Sequence, residues 1–490
     1  MLALAVSDAP ALLHSMQRLR DEVYEEGQAA FNAWRPLIER RDFVVSALNL
    51  AYFLALRRRD TRTLDAALMP LGLAALEQGR AYVLPHLDAA LHALGAVCAT
   101  PAYDLPPKPP LRAFWRGERL LRHHTDAVFG RYAHQPRARI MVTLPAAAAD
   151  DYALVRALLD SGMDCARIDC AQDDSGVWQA MIALVRRAAE ESGRPCKIAM
   201  ELAGPQALTG AVLCPATLFK GDHLLLTGAE LLPAEEYPRQ AVCTLTEALD
   251  QVNVGESVWF NDGRIGGEVE AVLPEGLLLR IATARDQGET LASGQNIHFP
   301  ETHLRLKALT EADLQDLDFV ALYADIIHCN FVQEAADIDL LQRELGSRMS
   351  TLRPKDMALI VKIATQQAVR NLPEILVHGA GKQPLAVLLA LGDLAVAAGC
   401  ERLIETQEDI LWLCEAAHVP VLWTTRTLDT LALTGCPARA AMSDFAVLEA
   451  AAGVALKRGP HLLEVLSHLQ EMLTRMQAHH LKKRLRAPRV

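Results

Sequence analysis

No C-x-x-C pair occurs among the ten cysteines of this 490-residue chain, so a zinc ribbon or a dithiol redox centre is not expected. Cys165, Cys170 and Cys196 lie in apolar stretches, the pattern of reduced, buried thiols in a cytoplasmic protein. Long hydrophobic runs are also missing. The longest, residues 47–56, stops at Arg57-Arg58-Arg59 and is too short to span a bilayer. Residues 1–10 lack the positively charged opening of a signal peptide. Aromatic residues are scarce at 5% while Ala and Leu are abundant, which favours helices over an all-β build. Positive charge is in deficit: the formal net charge is -11, and no basic stripe interrupts it. Nucleic acid and membrane are therefore not expected as partners. The basic tail, Lys482, Lys483, Arg484, Arg486 and Arg489, reads as the solvated end of a last helix.

What is present is the balance of a soluble globular protein, 51% hydrophobic and 22% charged. A chain this long exceeds one ordinary core, so two or three domains are expected. Residues 1–135 read as a helical N-terminal extension. Apolar residues at three-and-four spacing mark helices over 15–24, 43–57 and 81–97, and residues 101–110 form a proline-rich break. From Arg139 short apolar strands alternate with amphipathic helices: strands at 139–144, 165–170 and 196–202, helices at 149–161 and 176–192. The alternation stops over 213–305, where Asn261-Asp262-Gly263 between apolar flanks predicts a hairpin. It resumes with a helix at 311–317 capped by Thr310 and Asp313. Strands follow at 325–331, 358–363, 384–391, 420–425 and 453–457, with helices at 334–345, 401–418 and 461–480. Eight β/α units interrupted after the third strand predict an α/β fold: a (β/α)8 TIM barrel over 136–212 and 306–480, with a small inserted β-barrel domain over 213–305 and a basic tail over 481–490.

Reactive groups of such barrels stand at the carboxyl ends of the strands. Those positions hold Arg167, Asp169, Glu201, Lys362, Asp393 and Thr425. Two cations, three carboxylates and a hydroxyl around one mouth suit an anionic, phosphorylated ligand with a divalent metal. Other signals are weaker. Gly379-Ala-Gly381-Lys382 lacks the phosphate-loop spacing and precedes a strand. His123 and His124 are adjacent, which turns their rings to different helix faces. Trp412 and Met472 fall on apolar stripes and read as core.

Several segments carry a family resemblance. Arg139-Ile-Met-Val-Thr-Leu-Pro and Gly162-Met-Asp-Cys-Ala-Arg-Ile-Asp resemble the first two barrel strands of pyruvate kinases. Glu201-Leu-Ala-Gly-Pro with Thr209-Gly210 resembles the third-strand motif, and Asn261-Asp-Gly-Arg-Ile-Gly the inserted domain. Ile360-Val-Lys-Ile-Ala-Thr-Gln-Gln, Gly392-Asp393-Leu394 and Pro420-Val-Leu-Trp-Thr-Thr resemble the fifth, sixth and seventh strands. The helical N-terminus is similar to that of a long bacterial branch, and the family's C-terminal effector domain is expected to be lacking.

The resemblance implies phosphoryl transfer from phosphoenolpyruvate to ADP, the glycolytic step that gives pyruvate and ATP. Lys362 is then expected to neutralise the phosphoryl in flight and the enolate, and Thr425 to stand beside the carbon that is protonated. Arg167, Gly392 and Thr424 are expected to bind substrate, and Asp393 to ligate Mg²⁺, with Glu201 and Asp169 as further candidate ligands. Some positions depart from the family pattern. Ala364 stands where a second metal-binding carboxylate is usual, and Leu208 where a second phosphate-binding arginine is usual. Asp169, Ala171, Glu201 and Leu202 replace the usual monovalent-cation ligands, so K⁺ dependence is not implied, and Leu391 and Ala441 remove further charges. The expectation is a pyruvate-kinase-like phosphotransferase with an impaired site and a weakened Mg²⁺ site. The alternative is a catalytically inactive homologue, a pseudoenzyme serving in binding or assembly. A homo-oligomer, or a complex with an active homologue, is the expected state.

Overall fold

The computed structural model describes residues 9–486 apart from 74, 132–137, 214–216, 229, 233–234, 236, 262, 349–356, 400 and 425–451, and side chains as far as 475. Eight parallel strands close into one barrel: β1 (Arg139–Thr143), β2 (Cys165–Asp169), β3 (Lys197–Leu202), β11 (Ile326–Cys329), β12 (Ala358–Ile363), β13 (Leu385–Ala390), β14 (Val421–Thr424) and β15 (Gly453–Leu456). Each strand pairs with its sequence neighbour in the barrel, and β15 pairs back onto β1. Side chains alternate between two environments, as strand geometry requires. Ile140, Val142, Leu359 and Val361 pack outward under the helices, whereas Met141, Ile326, Ile360 and Leu388 fill the barrel interior.

The insert between β3 and β11 has its own core, including Leu224, Phe260, Ile265 and Leu279. Seven of its strands form one sheet: β4 (Thr209–Leu213), β5 (His223–Thr227), β6 (Gln240–Cys243), β7 (Ser257–Phe260), β8 (Ile265–Leu273), β9 (Gly276–Thr283) and β10 (Ile297–His298); Thr217–Leu218 and Glu289–Thr290 pair separately. The seven lie in the order β10-β7-β8-β9-β5-β6-β4. An antiparallel bridge between Leu208 and Asn296 ties the two edges together and rounds the sheet toward a barrel. The expected hairpin is there: Phe260 pairs with Ile265, and the turn uses positive φ at Asn261 (49°) and Gly263 (82°), a region those residue types tolerate.

The N-terminal region is helical, led by α1 (Ala9–Trp34), α2 (Val44–Arg57), α3 (Val83–Val97) and α4 (Arg116–Phe129). The apolar run seen in the sequence is the central helix α2, buried from Ser46 to Leu56 on most of its circumference. Its one buried amide is fully engaged: Asn49 Nδ2 donates to Arg80 O (2.7 Å) and Ala416 O (2.8 Å), and its Oδ1 accepts from Val83 N (3.0 Å). The end of α4 plugs the amino-terminal opening of the barrel, where Val128 and Phe129 join the interior cluster. No helix among the described residues is long and apolar enough to cross a membrane.

Two elements extend the sequence reading. Residues expected to connect β12 directly to β13 form helices Gln366–Arg370 and α10 (Leu372–Lys382), with Pro373 in the first turn of the second. Gly379 to Lys382 close that helix, in agreement with the rejection of a phosphate loop. The capped helix α8 runs over Glu311–Tyr323, longer than expected, and Thr310 and Asp313 form the full capping box.

A buried histidine fastens the helical region to the barrel. His418 Nε2 donates to Ala81 O (2.9 Å), its Nδ1 accepts from Ser46 Oγ (2.9 Å), and its carbonyl accepts from His124 Nδ1 (2.7 Å). Burial pushes its pKa down to about 4. A histidine held neutral in the fold contributes stability that is complete above its unfolded value near 6.5 and is lost as pH falls toward 4. Lowering the pH from 7.5 to 5 is therefore expected to cost about 2 kcal/mol through His418. Thermal melts at the two pH values check this, and His418→Asn is expected to show a smaller pH-dependent loss than the parent.

Candidate active site at the barrel mouth

Strand register brings the sequence-nominated residues to one end of the barrel. Asp169 is level with Glu201, and Glu201 with His328 on β11, so β2, β3 and β11 present polar side chains at one height. The guanidinium of Arg167 is 6% exposed. It donates from Nε and Nη2 to Thr143 Oγ1 (2.8 and 2.5 Å) and faces Glu201 Oε2 from Nη1 (3.1 Å). Thr143 in turn donates to Leu456 O (3.0 Å), which links β2, β1 and β15 through one hydroxyl.

A histidine also lies beside Glu201. His328 Nδ1 lies 3.6 Å from its Oε1, beyond hydrogen-bonding distance but within electrostatic reach. Burial pushes the Glu201 carboxyl up, and Arg167, with His328, Lys362 and Lys457, more than offsets that, so it stays below its usual value. His328 is fully buried, and neither ring nitrogen has a hydrogen-bond partner among the described residues. Burial lowers its pKa to about 4, so the ring is neutral at pH 7.

Across the mouth, Lys362 Nζ meets Asp393 Oδ2 at 2.7 Å. Burial opposes both charges; each partner's charge overcomes it, raising the Lys362 pKa and lowering that of Asp393. Asp393 and Gly392 lie in the first turn of α11 (Leu391–Ala398), which follows β13 directly. His298 of the insert is close enough to help hold Asp393 ionised, which sets the small domain beside the mouth. Thr424 Oγ1 donates to Leu389 O (3.1 Å). Thr425 and Ala441 lie outside the described residues.

Asp169 differs from the other carboxylates. Burial and the nearby Glu201 raise its pKa, although its Oδ1 accepts from Ala171 N (3.0 Å). Arg458 partly offsets this, as Lys457 does for Glu201 and Asp393. These two cations, just beyond β15, were not nominated from the sequence, and neither was His328. The available signal was position: Lys457 follows a barrel strand, and His328 falls on the inward-facing alternation of β11.

The donor set does not suit a divalent cation. Asp393 is paired with Lys362 and Glu201 with Arg167, and Ala364 adds only a methyl against the inner core. No group of three His, Cys, Asp or Glu side chains among the described residues could hold a metal ion. In this structure Glu201 pairs with Arg167, and Asp169 accepts from Ala171 N. What the arrangement can do is bind an anion: Arg167 and Lys362 bring guanidinium and ammonium donors to one cleft.

Comparison with known proteins gives a consistent picture. Residues 135–458 match the family model for the pyruvate kinase barrel domain. The chain is 28% identical over 314 residues to a pyruvate kinase of Dictyostelium discoideum, covering 63% of this chain and 59% of that protein. It is 29% identical over 316 residues to a pyruvate kinase of Geobacillus stearothermophilus, covering 63% and 51%. Against pyruvate kinase PKLR of Rattus norvegicus the identity is 27% over 303 residues, covering 60% and 50%. The matched region thus spans about half to three fifths of these relatives.

Proposed function

Because this chain belongs to the pyruvate kinase family, we propose that its barrel mouth binds phosphoenolpyruvate and ADP and passes the phosphoryl group between them at a reduced rate. The observation that carries this reading is the nearness of Arg167 and Lys362 at the barrel mouth, each paired with a carboxylate. In the reaction, the bond from phosphorus to the enol oxygen breaks as a bond to the terminal ADP oxygen forms, and the enolate then takes a proton at carbon to give pyruvate. Lys362 would turn from Asp393 to the phosphoryl oxygens and then to the enolate oxygen, placing positive charge where negative charge develops. Arg167, fixed on Thr143 and Glu201, would hold the phosphate through N–H donors that those partners leave over. Thr425 would stand beside the carbon that is protonated, with Thr424 and Gly392 lining the substrate. No step is assigned to a metal. The test is pyruvate formation from phosphoenolpyruvate and ADP, with Lys362→Met as control. Turnover above that control supports the reading, and equal rates contradict it.

A second reading, a homologue that binds without turnover, is favoured by the two residues that add no charge, Ala364 and Leu208. Leu208 sits half-buried at the bridge to Asn296 rather than presenting a cation. The two readings separate on one variant. Ala364→Glu with Leu208→Arg is expected to raise turnover at least tenfold, about 1.4 kcal/mol of barrier, if the site is only weakened. No gain by the double variant favours binding without catalysis. A cytoplasmic setting and assembly with copies of itself or with an active relative belong to the same proposal and are checked by co-purification.

A further inference from the structure

Helix α4 assembles a basic edge that the linear sequence does not show. Between Asp104 and Asp126 the chain carries Lys108, Arg112, Arg116, Arg119 and Arg122 against a single carboxylate, Glu118. One helical turn, Leu111–Phe114, leads through Trp115 into α4, so Arg112, Arg116 and Arg119 recur at four- and three-residue spacing on one side. All five cations are exposed. Arg122 pairs with Glu118 (3.2 Å), and the side chains of the other four make no hydrogen bond or ion pair among the described residues. The opposite side of α4 is pinned. A Cβ at Gly117 would stand 2.6 Å from Ala81 O, and His124 Nδ1 donates to His418 O (2.7 Å). The basic side is therefore fixed outward. Because His418 shortly precedes β14, this edge lies toward the amino-terminal end of the barrel, away from the mouth.

Large apolar side chains stand among these cations. Tyr103, Leu111 and Trp115 are 86%, 75% and 55% exposed. The segment that carries them is tied down on its inner side. His92 Nε2 on α3 donates to Pro106 O (2.6 Å), Leu105 packs against Gly95, and Phe114 meets Tyr82 edge-on with ring centroids 5.4 Å apart. The strap between these anchors carries Pro106, Pro107, Pro109 and Pro110. Without their amide hydrogens it cannot extend the sheet of a protein partner. Cationic heads on long apolar stems, beside a protruding indole and a protruding leucine, suit the headgroup layer of a bilayer. Stems and rings reach the acyl boundary there while the charges stay with the lipid phosphates. The acidity of the whole chain does not oppose this. At physiological salt fields fade within about 8 Å, and the local balance is strongly positive.

We propose that this edge, Lys108 to Arg122 with Tyr103, Leu111 and Trp115, docks the protein peripherally on an anionic lipid surface and leaves the barrel mouth open to solvent. The docking is independent of what the mouth binds or turns over.

Co-sedimentation of the full chain with vesicles reads the docking directly. Vesicles of about three parts phosphatidylcholine to one part phosphatidylglycerol are expected to carry the protein down at ~0.1 M salt and to release most of it at ~0.5 M, where screening is shorter. Pure phosphatidylcholine vesicles are expected to carry down little. Arg112→Gln/Arg116→Gln/Arg119→Gln is expected to weaken partitioning about 100-fold, roughly fivefold for each cation. Leu111→Ser/Trp115→Ser is expected to weaken it about 10-fold. Both variants alter exposed side chains, so their melting temperatures should match the parent's. Equal partitioning onto neutral and anionic vesicles, or partitioning that survives both variants, overturns the proposal. Absence of vesicle binding overturns it as well. If poly-glutamate or a short DNA duplex is then bound through the same arginines, the edge belongs to an acidic protein or a nucleic acid instead.

Discussion

Arg167→Met is expected to destabilise the protein by about 3–5 kcal/mol and to abolish phosphate binding, because it strips the counter-ion from a buried carboxylate. The pair it breaks is the most enclosed at the mouth: the side chains of Arg167 and Glu201 are 7% and 10% exposed. With Arg167 gone, only His328, which is neutral, and the more distant Lys362 and Lys457 remain to compensate Glu201. Glu201→Met added to Arg167→Met is expected to recover much of the stability, since an apolar pair of similar volume replaces two costly charges. Binding should not return, because the ligand's own partner is still missing. Chemical denaturation of the two single variants and the double variant gives the coupling. Recovery of stability without recovery of binding is the expected outcome; additive losses would mean that Glu201 is not held by Arg167.

Lys362→Met is expected to have the larger effect on chemistry and the smaller one on stability. Its ion pair with Asp393 is more open, with side chains 24% and 21% exposed, so water screens the orphaned carboxylate and the stability loss should be about 1–2 kcal/mol. Turnover should fall at least about a hundredfold, the scale for removing a group that meets developing charge. The contrast between the two variants is itself diagnostic. Equal stability losses would mean that the pairs are equally buried, and an unchanged rate would remove Lys362 from the reaction.

Much of this architecture was legible because local signals and global fold agree. Thr310 and Asp313 announced a helix start, and both halves of their capping box form. Asn261 and Gly263 announced a hairpin, and both adopt positive φ. Arg167 and Lys362 were nominated because charged side chains inside apolar strands have few other reasons to be there, and the structure places both at the barrel mouth. The helices of 366–382 were not expected; Pro373 occupies the first turn of the second, where its missing N–H costs nothing. His328 was missed because a lone histidine in an apolar strand looks like core, and only the register that sets it beside Glu201 gives it a role. Lys457 and Arg458 were not nominated because nothing local marks which strand-end charges lie close to the mouth. Their place beside the mouth depends on barrel closure between β15 and β1, a contact across more than 300 residues of sequence.

The claim that the mouth receives a phosphorylated anion through Arg167 and Lys362 is tested most directly by a crystal structure of the protein with phosphoenolpyruvate. The account predicts the phosphate within hydrogen-bonding distance of both Arg167 and Lys362, with the Lys362–Asp393 contact opened. A mouth without ligand, with both ion pairs intact while phosphoenolpyruvate is bound elsewhere, would contradict it.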